Sequence, residues 1–110
     1  MSYTKVQIGN TTWYRFGVFY EIRIEFIGQS GLLHVEIFQG TDTLFHDLVE
    51  SLQTICQLEK DTPLLWEIVS TNNFLHSVAR KVGFKVHYCF RPRHNRSVLV
   101  KVYRLKEPLL

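Results

Sequence analysis

The stretch from Leu64 to Phe84 limits what this chain can fold into more than any other. Leu64-Leu65-Trp66-Glu67-Ile68-Val69 is short and nearly continuously apolar, as a central strand of a sheet is. Ser70-Thr71-Asn72-Asn73 then forms a polar turn, and Phe74, Leu75, Val78, Ala79 and Val82 fall on one side of a short helix. Asn72 offers a side-chain oxygen to the helix start. Gly83 supplies the left-handed residue that closes the helix.

Upstream, Thr12 to Phe26 is aromatic and β-branched, and Ile22-Arg23-Ile24-Glu25-Phe26 alternates strictly, which predicts a hairpin or meander. Gly28-Gln29-Ser30-Gly31 is a turn, and Leu32 to Phe38 returns as a strand that ends at Gly40. Thr41 and Asp42 offer capping oxygens to a helix from Thr43 to Leu58, whose Leu44, Phe45, Leu48, Val49, Leu52, Ile55 and Cys56 make one apolar face. Asp61-Thr62-Pro63 breaks that helix. Two strands, Lys85 to Phe90 and Ser97 to Leu105, finish the chain around Arg91-Pro92-Arg93-His94-Asn95-Arg96. The order β-β-β-α-β-α-β-β predicts an α+β fold, with a single mixed and mostly antiparallel sheet and two helices.

A chain of 110 residues, 45% hydrophobic, has material for one core, so residues 1–110 are expected to form a single domain. No run approaches the ~20 apolar residues of a membrane span, and the first residues lack the pattern of a signal peptide, which favours a cytoplasmic protein. Cys56 and Cys89 lie in apolar segments and are expected as free thiols. The histidines His34, His46, His76, His87 and His94 are scattered, with no metal-ligand spacing, so no metal is expected. Charge is divided unevenly. Residues 1–79 hold four Lys/Arg against nine Asp/Glu, and residues 80–110 hold nine against one. A basic C-terminal hairpin suggests an anionic partner there.

The strand-turn-helix unit, with Asn72 eleven residues ahead of Gly83-Phe84, resembles the last strand-helix segment of the GCN5-related N-acetyltransferase (GNAT) superfamily. The resemblance covers roughly residues 12–105 and leaves out the family's first strand and its two early helices. It is similar in size and eroded motif to short GNAT-like proteins of tailed phages. It implies that acetyl-CoA would lie in a V between the strands His34–Phe38 and Leu64–Val69. Phe38, Gln39, Gly40, Thr41, Thr43 and Asn72 would be the cofactor-binding residues, with the diphosphate on backbone amides at a helix start. It also implies that Glu36 or Glu67 would act as general base. The family's helix tyrosine is replaced by Ala79, which leaves Tyr88 as the candidate acid. The phosphate loop is incomplete: Gln39 and Gly40 fall out of register, and Asp42 puts a carboxylate where a diphosphate would lie.

Each residue has a second reading. Glu36 alternates with Val35 and Ile37 and fits the wet face of a sheet, Glu67 fits a salt bridge, and Asn72 fits a helix cap. Three functions therefore stand side by side. The first is a compact N-acetyltransferase acting on an amine or protein. The second is a non-catalytic interaction module that binds a protein partner or forms a homodimer, with Trp13, Tyr14, Phe16, Phe19 and Tyr20 as aromatic surface. The third is nucleic-acid binding through Arg91, Arg93 and Arg96, which would weaken steeply with salt.

Overall fold

The computed structural model describes the backbone over residues 2–93 and 96–104, and the side chains over residues 2–86. Period-two alternation sets the first half of the fold. Strands β1 (Thr4–Ile8), β2 (Thr11–Phe16), β3 (Tyr20–Ile27) and β4 (Ser30–Ile37) follow one another as an antiparallel meander. Thr12, Tyr14 and Phe16, then Tyr20, Ile22 and Ile24, then Gly31 and Leu33 point to one buried face. Helix α1 (Leu44–Leu58), strand β5 (Leu64–Val69), helix α2 (Asn73–Val82) and the hairpin β6 (Lys85–Arg93) with β7 (Arg96–Arg104) complete the order. All strands belong to one sheet, β1-β2-β3-β4-β5-β7-β6.

Both helices pack on the same face. Leu48, Val49, Leu52 and Ile55 of α1, and Val78 and Ala79 of α2, share one core with Tyr14, Tyr20, Ile22, Leu33, Trp66 and Ile68. Alternation sends Trp13, Arg15, Glu21, Arg23, Glu25, His34, Glu36 and Glu67 to the opposite face, on which no helix lies among the described residues. Leu64, Trp66 and Ile68 are buried while Leu65 and Glu67 are half-buried, so β5 is more alternating than its apolar sequence predicts.

The mixed, mostly antiparallel sheet with two helices is the architecture the sequence predicts, with one strand more. The sheet begins at Thr4, ahead of the aromatic segment, and β1 joins β2 through the two-residue turn Gly9-Asn10. Gly9 has φ 58°, the left-handed value that primed hairpin turns use. A first strand is therefore present, and a two-residue turn leaves no room for helices after it. The aromatic residues are mostly not surface. Tyr14, Phe16 and Tyr20 are at most 2% exposed, because the alternation that makes β2 and β3 strands turns these rings into the core.

The helix ends match the sequence in one case and not in the other. Asn72 Oδ1 accepts from the Leu75 N–H at 3.1 Å, and Gly83 sits at φ 114° with its N–H on the carbonyls of Ala79 and Arg80. At α1 the N-cap is Thr43 rather than Thr41 or Asp42, and its hydroxyl donates to Asp47 Oδ2 at 2.7 Å instead of accepting from the backbone. Arg91, Arg93 and Arg96, expected in a connecting loop, lie within β6 and β7, where Arg93 pairs with Arg96 in register.

Candidate active site at the parting of two strands

Strands β4 and β5 are paired in parallel over only three positions, Gly31 with Leu64, Leu32 with Leu65 and Leu33 with Trp66. Beyond them the strands follow different neighbours. Val35, Glu36 and Ile37 stay paired to Ile22, Glu21 and Tyr20 of β3, whereas Glu67, Ile68 and Val69 pair with β7. The sheet therefore opens into a V whose apex lies just past Leu33 and Trp66. Gly31 makes the tight end possible: a Cβ there would stand 2.8 Å from Ile24 and 2.9 Å from Leu64.

His34 and Glu67 are the next residues along the two arms, both on the helix-free face. His34 belongs to the candidate site by position, which scattered histidine spacing does not reveal. The alternation Leu33-His34-Val35-Glu36 is the signal that places it beside Glu36. Its Nε2 atom is buried without a hydrogen-bond partner, and it stands 3.8 Å from Glu25 Oε1, too far for a hydrogen bond. Burial, and next the Arg23 guanidinium, lower the His34 pKa below its ordinary value, against the opposing pull of Glu25 and Glu67. The imidazole is therefore neutral at neutral pH. Glu36 is exposed and lies directly across from Glu21, and Glu21, Arg23, His34, Val35 and Glu36 line a shallow pocket of about 260 Å³. The structure thus brings Glu36 and Glu67 to one face with His34 between them. Tyr88 sits on β6 opposite Lys101, and its side chain lies outside the described ones, as do those of Arg91, Arg93 and Arg96.

The wide end of the V is built by the two helix starts. Phe45 and Phe74 meet edge to face at 6.0 Å, and the Tyr20 hydroxyl reaches α1 at Ser51 Oγ (2.6 Å) and the Asp47 carbonyl (3.2 Å). The segment from Phe38 to Thr43 leads into α1. Its first two amides are already engaged, since Phe38 and Gln39 both donate to the Phe19 carbonyl, and Arg15 lies 5.1 Å over the Phe38 ring. Thr41 accepts from Leu44, and the Thr43 carbonyl accepts from Asp47. Gly40 faces open space. Asn72 is held by its cap bond. Asp42 precedes α1 and Asp47 lies in its first turn, and His46 Nδ1 lies 3.6 Å from Asp47. Among the described residues, no group of three His, Cys, Asp or Glu is placed to hold a metal ion.

A CoA-type group is matched in part by these residues. The strands part beyond Leu33 and Trp66, and the start of α1 follows the end of β4. Asp42, just ahead of that helix, and Asp47, in its first turn, oppose a diphosphate.

No family profile matches the sequence, and a search of curated proteins found no match. Solved structures do match. A spermidine N-acetyltransferase chimera of Vibrio cholerae SpeG and hSSAT superposes with a TM-score of 0.67 at 11% identity, over 86% of this chain and 68% of that one. A GNAT-family acetyltransferase from Bacillus anthracis gives 0.64 at 12% identity, over 87% and 65%. The ribosomal L7/L12 α-N-protein acetyltransferase RimL, in complex with coenzyme A, gives 0.63 at 15%, over 86% and 61%. This chain spans about two thirds of their length, and what it shares with them is the GNAT fold.

Proposed function

We propose that this chain uses its GNAT fold as a compact N-acetyltransferase, transferring an acetyl group from acetyl-CoA to an amine. One observation carries the reading: β4 and β5 part after three residue pairs, which opens the sheet where the fold's acyl donor would lie. Of the similar structures, one is a spermidine N-acetyltransferase and another, in complex with coenzyme A, an α-N-protein acetyltransferase, and both names specify an amine acceptor.

An ammonium group must lose a proton before it can attack a carbonyl. In this reading the proton goes to the neutral imidazole of His34 or the carboxylate of Glu67, the first residues past the apex, or to Glu36 further along β4. Glu21 and Glu36 stand opposite each other and favour a cationic acceptor. Acetyl-CoA, when bound, supplies the activated acyl group. The amides near Gly40 to Thr43 would face its diphosphate, and Asp42 and Asp47 would weaken that contact. Ala79, fully buried, offers no proton to the leaving thiolate, and Tyr88 would serve in its place only by reaching the cleft from β6, which β7 separates from β5.

Isothermal titration with acetyl-CoA tests the reading. Binding with a Kd of roughly 10–100 μM is expected. No heat at about 1 mM ligand would overturn it. The second reading, a non-catalytic interaction module, is favoured by the carboxylates at α1 and by Ala79. Under it the basic β6–β7 hairpin, with Arg91, Arg93 and Arg96, would meet an anionic protein or nucleic acid, and that binding would fall with salt.

A further inference from the structure

We propose that β1 is a self-complementary edge through which two copies of this chain join into one continuous antiparallel sheet. This interface is separate from the cleft between β4 and β5 and does not depend on acetyl transfer.

Among the described residues β1 ends the sheet and pairs only with β2, and it is exposed at all five positions. Its outer backbone edge meets no other described strand. The two-residue turn makes Ile8 and Thr11 a hydrogen-bonded pair, so Thr4, Val6 and Ile8 direct their N–H and C=O groups to β2. Lys5 and Gln7 direct theirs outward. Sheets usually protect such an edge with proline, a bulge or several charges. β1 has no proline, its register with β2 is uninterrupted from Thr4 to Ile8, and its one charge, Lys5, lies 5.6 Å over the Tyr14 ring.

What fits this edge is a second β1. Antiparallel overlap of the whole strand sets Val6 against Val6, Thr4 against Ile8, and Lys5 against Gln7 of the partner. No like charges meet, and the two outward-facing positions, Lys5 and Gln7, exchange the backbone hydrogen bonds. In-register parallel pairing would instead set Lys5 against Lys5. Side chains agree with the backbone. Val6 is 46% and Ile8 66% exposed, and with Trp13 they line an apolar depression of about 240 Å³ on the helix-free face. Antiparallel pairing sets Val6 beside Val6, and Ile8 beside Thr4, of the other copy on that same face. A two-fold contact of this kind consumes the edge and closes as a dimer.

Sedimentation equilibrium of the 110-residue chain, from about 1 to about 200 μM, tests the proposal. Twice the monomer mass is expected toward the upper end. Gln7→Lys sets like charges together at both ends of the seam and should raise the dissociation constant about tenfold or more. Adding Lys5→Glu to Gln7→Lys restores opposite charges and should recover the dimer. Hydrogen exchange on the unaltered chain reads the same contact directly, with Lys5 and Gln7 amides more protected as concentration rises. A monomer throughout, a Gln7→Lys variant as tightly dimeric as the original, or unprotected amides at Lys5 and Gln7 in the dimer would each overturn the proposal.

Discussion

The rings of Phe45 and Phe74 stand edge to face, with centroids 6.0 Å apart and planes at 78°, and so tie the first turn of α1 to the first turn of α2. They bridge the end of the molecule where β4 and β5 have separated. Each ring is nearly 40% exposed, so their contact matters more than their burial. Phe74→Ala should cost about 1 kcal/mol, and a double-mutant cycle with Phe45→Ala should return a coupling of about 0.5–1.5 kcal/mol in urea unfolding. A coupling near zero would mean that the rings touch without holding the cleft.

Asp42 is exposed in the segment leading into α1, where a diphosphate would approach. Asp42→Asn should tighten acetyl-CoA binding by about 3–10-fold at low salt, and the gain should shrink as salt screens the charge. Calorimetry on both proteins checks this. Stability should change by no more than about 0.5 kcal/mol, as for other surface substitutions.

His34 makes stability depend on pH in one direction. Its folded-state pKa lies below the ordinary 6.5, so between the two values the unfolded chain binds more protons than the folded protein. Stability is whole above pH 6.5 and falls as pH drops below it, until the folded-state value is passed. Melting temperature should therefore decline as pH falls below 6.5, and His34→Gln should flatten that decline. An unchanged slope in the variant would assign the loss to other groups.

Gly31 sits where β3, β4 and β5 meet, and a methyl group there would press on Ile24 and Leu64 at under 3 Å. Gly31→Ala should destabilise by about 1–3 kcal/mol through overpacking. In a domain of this size that lowers the melting temperature by about 4–8 °C for each kcal/mol. Replacing Leu64 with Val in the same background should recover part of the loss.

Asn72 separates capping from cofactor binding. Asn72→Ala removes the bond to the Leu75 N–H and should cost about 1 kcal/mol, while Asn72→Asp keeps an acceptor and should cost less. Acetyl-CoA affinity should be unchanged in Asn72→Asp if the side chain is only a cap. A loss there would assign it a ligand contact as well.

Periodicity alone determined most of the chain's elements. Alternation in Ile22 to Phe26, the helical spacing from Leu44 to Ile55, and the pairing of Asn72 with Gly83 are local signals, because strand, helix and caps depend on neighbours within a few residues. That is why β5 and α2 run from Leu64 to Val69 and from Asn73 to Val82, as predicted. β1 carried the same alternation in Thr4 to Ile8, and its brevity hid it.

Tertiary structure decided the rest. Nothing local distinguishes Leu33 from His34 as the last point where β4 touches β5. That depends on β3 and β7 drawing the two strands apart, and it is what makes His34 and Glu67 neighbours. Likewise Tyr14 and Tyr20 are in the core and Trp13 is not, because the face on which α1 packs is settled only when the helix docks. Sequence sets which residues alternate; assembly sets which of the two faces becomes the interior.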